Sequence, residues 1–267
     1  MSISCIILMY HIVDEPLNPR EQRLCCHPEM FRAQMKHLSD AGYHIIQLSE
    51  LAGFIKGSRT WPEKAIVITF DDGMSCTYEK AFPIMQEYGH TASVFVISDL
   101  VGKYNEWLHD KGFPKRAMLT SSQVLELSNE GIDIGSHTLS HCKLGEVPAD
   151  RANIEIHDSK KKLEDMLGLE VPHFAYPFGS YNKYARDAVE KSGYRVACST
   201  LPGRNKADAD MFLLKRVEIR GQDTMLQFRM KLLFATHDIP PYSIARNVVR
   251  KGLEKIGLMS PKASNRI

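Results

Sequence analysis

Apolar residues follow two different periods along this chain, and the two periods alternate. Short runs rich in Ile, Val, Phe and Tyr are typical of buried strands, whereas longer segments with an apolar residue at every third or fourth position are typical of helices. The predicted strands are Ile3–Tyr10, Tyr43–Leu48, Ile66–Phe70, Ala92–Ile97, Ile132–Ile134, His173–Tyr176, Val196–Ser199 and Phe212–Ile219. The predicted helices are 28–41, Ser49–Ile55, Ser75–Glu87, Thr120–Glu130, Pro148–Gly168, Asn182–Ser192 and Asp223–Phe234.

This alternation predicts the fold class α/β, with parallel strands and helices packed outside them. Seven or eight strands favour a closed or nearly closed (β/α) barrel, which would occupy residues 1–236 as one domain. The polar segments 14–26 and 99–119 are expected to be loops. In such barrels the chemistry sits at the C-terminal ends of the strands. The residues at the predicted strand ends are His11, Asp71-Asp72, Ser136-His137, Pro177-Phe178 and Arg216.

Composition limits the function without identifying it. The chain of 267 residues has a formal net charge of +2, so no nucleic-acid partner is expected, and no protein partner is indicated. No apolar run approaches the roughly 20 residues of a membrane helix. The apolar residues 2–10 lack the flanking features of a signal peptide, so a cytoplasmic location is expected. The six cysteines fit neither a zinc knuckle nor a disulfide framework and are expected to be reduced.

Asp71 and Asp72 directly follow the predicted strand that ends at Phe70, and Gly73 allows a sharp turn after them. Two adjacent carboxylates at the end of a buried strand are costly, because each is desolvated beside a like charge. A cation resolves this conflict if one Asp binds the metal and the other stays free as a base. A surface turn explains the same three residues without any chemistry, so the motif needs support from elsewhere.

His137 and His141 follow another predicted strand, Ile132–Ile134. Their spacing puts two imidazoles on one side of a helical turn, close enough to share a metal. Chance pairs of this kind occur in a chain with 11 His, but both this pair and the Asp pair fall at strand ends. One carboxylate with two imidazoles is the ligand set of a hydrolytic zinc site that leaves a position open for water.

Tyr176, Pro177 and Phe178 precede Gly179 at the end of a third strand. A Pro-aromatic-Gly turn against an apolar wall is suited to aim a backbone N–H at a developing oxyanion. An ordinary exit from the strand explains this motif as well. If the site is real, these three residues are expected to contact the substrate.

The three motifs in this order resemble the polysaccharide deacetylases with a NodB-type domain, carbohydrate esterase family 4. Met9-Tyr10-His11 and the stretch 214–217 resemble the branch that also holds the poly-N-acetylglucosamine deacetylases. The resemblance covers residues 3–234 and implies a distorted (β/α) barrel. It also implies a metal-dependent hydrolase that removes N-acetyl groups from an N-acetylated sugar or polysaccharide.

The resemblance further implies roles for individual residues. Asp71 would be the general base, while Asp72, His137 and His141 would bind Zn²⁺ or another divalent transition metal. The backbone N–H of Phe178 would help to hold the oxyanion. The implied partner is an N-acetylated glycan.

Two positions depart from the common family pattern. Members often carry an Arg two residues before the Pro of the third motif, to orient the catalytic Asp, and this chain has Ala175 there. Arg216, expected at the end of the last strand, is the candidate replacement. Many members also have a Leu-x-His motif near the end of the domain, whose His acts as general acid. No such motif follows Phe212, and His237 lies in a Pro-rich stretch beyond the last predicted helix. His11 is therefore the candidate acid, although a structural or sugar-binding role would explain it too.

Two other functions remain open from the sequence. The same metal centre would hydrolyse another non-peptide C–N bond, such as that of a cyclic ureide or a formamide. A relative without activity would keep the barrel and bind glycans. The complete ligand set with a free Asp71 argues against the inactive relative, because an unused buried carboxylate pair would only destabilise the fold.

Residues 237–267 form a basic tail that is expected to lie beyond the barrel. Ile244, Val248, Val249, Leu253 and Ile256 recur at helical spacing among Arg and Lys residues. A basic amphipathic helix binds weakly to anionic membrane surfaces. Docking of the same helix on the barrel is the alternative, with its basic face toward solvent.

Overall fold

The computed structural model describes residues 4–239, and within them strands and helices alternate as predicted. The strands are β1 Ile6–Tyr10, β2 Ile12–Val13, β3 Cys25–Cys26, β4 His44–Ile45, β5 Ala65–Phe70, β6 Ser93–Val96, β7 Asp133–Ser136, β8 His173–Ala175, β9 Val196–Cys198 and β10 Arg216–Glu218. The α-helices are α1 Pro28–Asp40, α2 Leu48–Ile55, α3 Phe82–Gln86, α4 Ser121–Asn129, α5 Ala149–Leu167, α6 Lys183–Lys191 and α7 Met225–Phe234.

Seven parallel strands form a nearly closed barrel in the order β10-β1-β5-β6-β7-β8-β9, and β4 adds an eighth strand beside β5. A parallel bridge between Cys198 and Leu214 narrows the opening between β9 and β10. The predicted α/β barrel is therefore confirmed. Because all its strands are parallel, their C-terminal ends lie at one end of the barrel.

The core lies on both sides of the barrel wall. Every residue of β1 and β5 is buried, as expected for strands that have helices outside and packed side chains inside. On α1, Phe31, Met35 and Leu38 recur at three- and four-residue spacing and are all buried. This apolar stripe holds α1 against the barrel wall.

Three local predictions differ from the structure in detail. The segment 14–26 is not a simple loop, because β3 pairs with β2 there. Helix α2 begins at Leu48, one residue before the predicted start at Ser49, and the backbone N–H of Gln47 donates to Oε2 of Glu50 at 3.0 Å. The predicted helix at 75–87 begins as a π-helix that precedes α3. This wider turn leaves Pro83 in the first turn of α3, where its missing N–H costs no hydrogen bond.

The last described residues still contact the barrel. The backbone N–H of Glu218 donates to Nδ1 of His237 at 3.0 Å, and Nε2 of His237 lies 2.7 Å from the carbonyl oxygen of Thr200. Arg220 also forms an ion pair with Asp238. The proposed tail helix lies outside the described residues. Within residues 4–239, no helix has the length and apolar character needed to cross a bilayer.

Candidate metal centre and catalytic residues

The two predicted metal-binding motifs lie at the same end of the barrel. Asp71 and Asp72 directly follow β5, and His137 directly follows β7. Only β6 separates these two strands in the sheet. Backbone hydrogen bonds fix the residues that leave both strands. The N–H of Asp71 donates to the carbonyl oxygen of Tyr10 at 3.0 Å, and the N–H of His137 donates to the carbonyl oxygen of Val96 at 2.9 Å.

Asp72, His137 and His141 converge in a buried cluster. Oδ1 of Asp72 lies 3.1 Å from Nε2 of His141 and 3.5 Å from Nε2 of His137. One donor atom from each residue lies within 4.8 Å of the other two. Burial alone raises the pKa of Asp72, but the adjacent imidazoles of His137 and His141 outweigh it and hold that pKa well below its usual range.

The loop that carries His141 is irregular, so the predicted helical turn was wrong. Thr138 has φ of +67° and His141 has φ of +62°, conformations that interrupt a right-handed helix. Oγ1 of Thr138 accepts a hydrogen bond from the backbone N–H of His141 at 3.0 Å. Glu155 in α5 accepts from the backbone N–H of Ser140 at 2.9 Å. These contacts fold the loop back and bring the two imidazole rings to a centroid distance of 4.9 Å.

The imidazole nitrogens indicate which atoms would face a metal. Nδ1 of His137 lies 2.8 Å from the carbonyl oxygen of Ala175, which only accepts hydrogen bonds. His137 therefore carries its proton on Nδ1 and turns the lone pair of Nε2 toward Asp72. Metal-binding histidines are oriented in this way by a second polar group. Nδ1 of His141 is buried without a hydrogen-bond partner among the described residues.

This donor set fits a divalent transition metal. Two neutral imidazoles and an ionised carboxylate are borderline and hard ligands of the kind that Zn²⁺ accepts, and three of them leave a coordination position open. Burial also lowers the pKa of His141, which favours the neutral, metal-binding form. Within residues 4–239 no other group of three such donors comes together.

Asp71 lies outside this group of three donors and is held by Arg216. Nη1 and Nη2 of Arg216 donate to the two carboxylate oxygens of Asp71 at 2.6 and 2.8 Å, and both side chains are buried. Burial raises the pKa of Asp71, but the charge of Arg216 outweighs it and keeps this pKa below the ordinary value. Asp71 is therefore an ionised carboxylate in a fixed orientation.

The position of Arg216 along its strand corrects one prediction. Arg216 is the first residue of β10, not a residue at its end. Its long side chain runs inside the barrel, where Nε donates to the carbonyl oxygen of Ser199 at 2.9 Å and Nη1 to Oγ1 of Thr69 at 3.2 Å. Because an arginine side chain is long, the guanidinium of Arg216 reaches from the start of β10 to the carboxylate of Asp71 at the C-terminal end of the barrel.

A family model described as Polysaccharide deacetylase matches residues 58–197, more than half of the chain, and this range contains all three motifs. This chain belongs to the polysaccharide deacetylase family. Membership confirms the predicted class of activity, the hydrolytic removal of N-acetyl groups from carbohydrate.

Individual relatives support the same conclusion. YxkH of Bacillus subtilis, which carries the same family description, is 32% identical over 80% of this chain and 70% of its own length. A poly-beta-1,6-N-acetyl-D-glucosamine N-deacetylase of Staphylococcus epidermidis is 26% identical over 80% of this chain and 78% of its own. The structure of the Streptococcus pyogenes deacetylase PplD in complex with acetate matches with a TM-score of 0.75 and 26% identity. That match covers 87% of this chain and 99% of PplD.

His11 and Phe178 lie near the three candidate metal ligands of this deacetylase. His11 directly follows β1 and is half-buried, and its charge contributes to lowering the pKa of Asp71 and of Asp72. Phe178 is 48% exposed, has φ of +58°, and packs with its ring centroid 4.5 Å from that of His141.

Tyr176 and Pro177 lie in the wall of the deacetylase barrel rather than on a substrate surface. The Tyr176 ring is fully buried against Phe174 and Tyr181, and Pro177 is buried as well. The expectation that their side chains contact substrate is therefore not supported. An aromatic residue after a strand packs inward or outward according to the pleat, and the motif alone does not reveal which.

Sequence reasoning missed a second aromatic neighbour of His141. Trp107, from the long loop between β6 and α4, places its ring centroid 4.8 Å from that of His141. Trp107 and Phe178 thus hold the His141 ring by packing, while His137 is held by a hydrogen bond. An isolated Trp in an irregular segment carries no periodic signal, so only the fold reveals this contact.

Proposed function

We propose that this chain is a zinc-dependent deacetylase of N-acetylglucosamine units in a glycan. The observation that carries the proposal is that two adjacent carboxylates at the end of β5 have different partners. Asp72 lies among two imidazoles, while its neighbour Asp71 is turned away and held by Arg216. Hydrolysis of an amide by metal-activated water requires metal ligands and a base close to them, and the two carboxylates provide one ligand and the base.

Asp72, His137 and His141 would hold the metal, and Asp71 would act as general base. Zn²⁺ bound there would lower the pKa of water and polarise the acetamide carbonyl. Asp71 takes the proton from the attacking water, because it is ionised and fixed by two hydrogen bonds from Arg216. Addition of the water oxygen to the carbonyl carbon gives a tetrahedral intermediate.

Collapse of this intermediate requires an acid and an oxyanion donor. The sugar nitrogen leaves as an amine only after protonation, and His11 lies at the same rim and suits this transfer, because imidazole titrates near neutral pH. The backbone N–H of Phe178 would donate to the oxyanion. The carbon–nitrogen bond then breaks, and acetate and the free amino sugar are released.

The name of the Staphylococcus epidermidis relative supports the choice of N-acetylglucosamine. The complex of PplD with acetate supports deacetylation itself, since acetate is what N-deacetylation releases. Oligomers of N-acetylglucosamine, linked β-1,4 or β-1,6, are therefore the first substrates to test.

The test is acetate release by the purified protein after chelation and after addition of Zn²⁺. We expect acetate only from the zinc-loaded protein. Bound zinc without acetate, but with hydrolysis of a cyclic ureide or a formamide, would favour the second candidate reaction. Glycan binding without metal and without hydrolysis of any substrate would reveal an inactive glycan-binding protein and overturn the proposal.

A further inference from the structure

One buried side chain, the guanidinium of Arg116, joins two loops near the candidate metal ligands. Arg116 lies in the long loop between β6 and α4 and is buried. Its Nε and Nη2 donate to Oε1 and Oε2 of the buried Glu21 at 2.6 and 2.8 Å. Nη1 donates to Oδ2 of Asp14 at 3.0 Å, and Nη2 also donates to the carbonyl oxygen of Glu15 at 2.7 Å. All three nitrogens of the guanidinium therefore bind the segment between β1 and α1.

This segment positions His11, the candidate acid. Only the two residues of β2 separate His11 from Asp14. The backbone N–H of Asp14 donates to the carbonyl oxygen of Cys26 at 3.1 Å, so the end of β2 is paired with the end of β3. Because Arg116 binds the carboxylate of Asp14, it fixes the end of the short strand that follows His11.

In its own loop, Arg116 fixes the residue at which the helix of Trp107 begins. The backbone N–H of Arg116 donates to Oδ1 of the buried Asn105 at 2.8 Å, and the backbone N–H of Asn105 donates to the carbonyl oxygen of Arg116 at 3.1 Å. Asn105 directly precedes a short 3-10 helix, Glu106–Lys111, which carries Trp107. The Trp107 ring packs against that of His141. The reciprocal hydrogen bonds therefore set the position of an aromatic ring that holds a metal ligand.

The residues just after Arg116 contact a third segment, the turn that follows the two aspartates. The backbone N–H of Leu119 donates to the carbonyl oxygen of Gly73 at 2.8 Å, and Gly73 directly follows Asp72. The segments that carry the candidate acid, the aromatic neighbour of His141 and the metal-binding carboxylate therefore meet at Arg116.

The chemistry of this buried ion network indicates a geometric role. The desolvation of a buried ion pair offsets much of the attraction between its charges, so such a pair is weak evidence for stability alone. A planar guanidinium that donates two parallel hydrogen bonds to a carboxylate fixes its distance and its orientation. Asp14 is also paired with Lys80, so two cations balance the carboxylates of Asp14 and Glu21.

We propose that Arg116 is a positioning residue for deacetylation, which holds His11 and the Trp107 ring in place beside the metal ligands without contacting the substrate. This inference rests on the proposed function and extends it to a residue outside the three motifs. A displacement of about 1 Å in a reacting group can lower a rate by about 10²-fold. Loss of the guanidinium should therefore lower kcat while zinc content and KM change little.

The test compares acetate release by Arg116→Met, Arg116→Lys and the unaltered protein, with zinc in excess and an N-acetylglucosamine oligomer as substrate. We expect kcat to fall by about tenfold in Arg116→Met and by about threefold in Arg116→Lys, with KM changed by less than about twofold. The lysine variant keeps a charge beside Glu21 and is expected to fold even if the methionine variant does not. Its single amino group does not span Glu21, Asp14 and Glu15 together.

Lys160→Met is the matched control for loss of a shielded cation. Lys160 of α5 is paired with Glu164 and donates to the carbonyl oxygen of Val171, which lies before the start of β8 at the opposite end of the barrel from the metal ligands. We expect this variant to keep the kcat of the unaltered protein.

Quenching of Trp107 fluorescence by acrylamide measures the position of the ring without turnover and without metal. The chain has two Trp residues, so Trp61→Phe leaves Trp107 as the only one that emits. In this background both Arg116 variants should have a higher Stern–Volmer constant, because release of the loop exposes a half-buried ring. Lys160→Met in the same background should leave the constant unchanged.

Lower kcat together with stronger quenching, in variants that still unfold cooperatively in urea, supports the proposal. A folded Arg116 variant with unaltered kcat and unaltered quenching would reveal a purely structural role and overturn it, whatever its urea midpoint. An equal fall of kcat in Lys160→Met would overturn it as well. Absence of acetate from every protein would instead overturn the proposed function, and the quenching would still decide whether Arg116 positions Trp107.

Discussion

Two Asp–His clusters lie at opposite ends of the same barrel strands. At the C-terminal end, Asp72 meets His137 and His141. At the N-terminal end, Asp133 begins β7 and lies 3.7 Å from Nδ1 of the buried His173, which begins β8. The residue types are the same, but the electrostatics differ.

The direction of the pKa shifts distinguishes the two ends. We call the cluster at the C-terminal end the upper cluster and the pair at the N-terminal end the lower pair. At the upper cluster the effect of two imidazoles exceeds that of burial, so the carboxylate of Asp72 is ionised with a pKa well below the usual value. At the lower pair burial dominates and raises the pKa of Asp133. Burial, together with the charges of Arg195 and Lys160, also lowers the pKa of His173 to about 3, so this imidazole stays neutral. A metal site needs the third donor that the lower pair lacks.

The two ends should differ most in how much zinc and activity are lost when one of their residues is replaced by Ala. His137→Ala, His141→Ala or Asp72→Ala should remove most of the bound zinc and at least about 10²-fold of kcat, because three protein ligands leave no redundancy. His173→Ala is the matched control and should keep the zinc stoichiometry. Metal analysis of the four purified proteins measures this, and equal zinc content in His137→Ala would mean that the site is misassigned.

Asp71→Asn should reduce catalysis at the upper cluster without reducing metal binding there. The amide is nearly isosteric but does not accept the proton of water, so kcat should fall by at least about 10²-fold while zinc is retained. Acetate release and zinc content are measured on the same preparation. Near-normal turnover would identify another group as the base.

His11→Gln should have a smaller effect that depends on pH. If His11 is the acid, kcat falls by about 10²-fold or less with little change in KM, and the alkaline limb of the pH–rate profile disappears. The profile is measured with zinc in excess, so that metal loss does not contribute. An unchanged kcat with a raised KM would assign His11 to sugar binding.

Asp133→Asn should change the stability of the fold without changing zinc binding or acetate release. Because the pKa of Asp133 is raised in the folded state, its contribution to stability is full below the ordinary carboxyl pKa and is lost as pH rises through the folded value. The amide removes this loss and still accepts from Ser49 and Ser93. We expect the free energy of unfolding to increase by about 1 kcal/mol at pH 7.

Urea unfolding of the Asp133→Asn protein and the unaltered protein at pH 7 and at pH 3 checks this prediction. The difference should vanish at pH 3, where Asp133 is protonated in both states. Destabilisation by Asp133→Asn at pH 7 would mean that the lower pair is a true ion pair.

The sequence was sufficient to predict the barrel and the upper cluster, because both depend on strand ends. Asp72 and His137 each follow a buried strand directly, so parallel pairing brings them together. The path to His141 was not predictable, since its loop depends on left-handed residues and on Glu155 in a distant helix. The contact between Arg216 and Asp71 was only a suggestion from the sequence, because it depends on how far a side chain reaches inside the barrel.

Titration of metal-free protein with Zn²⁺, followed by acetate release from an N-acetylglucosamine oligomer, tests the central claim most directly. A single buried site with Asp72, His137 and His141 as ligands predicts that activity rises linearly and levels off at one zinc per chain. The same titration of His137→Ala should give no rise. Full acetate release without metal, or an unaltered titration of His137→Ala, would contradict the account.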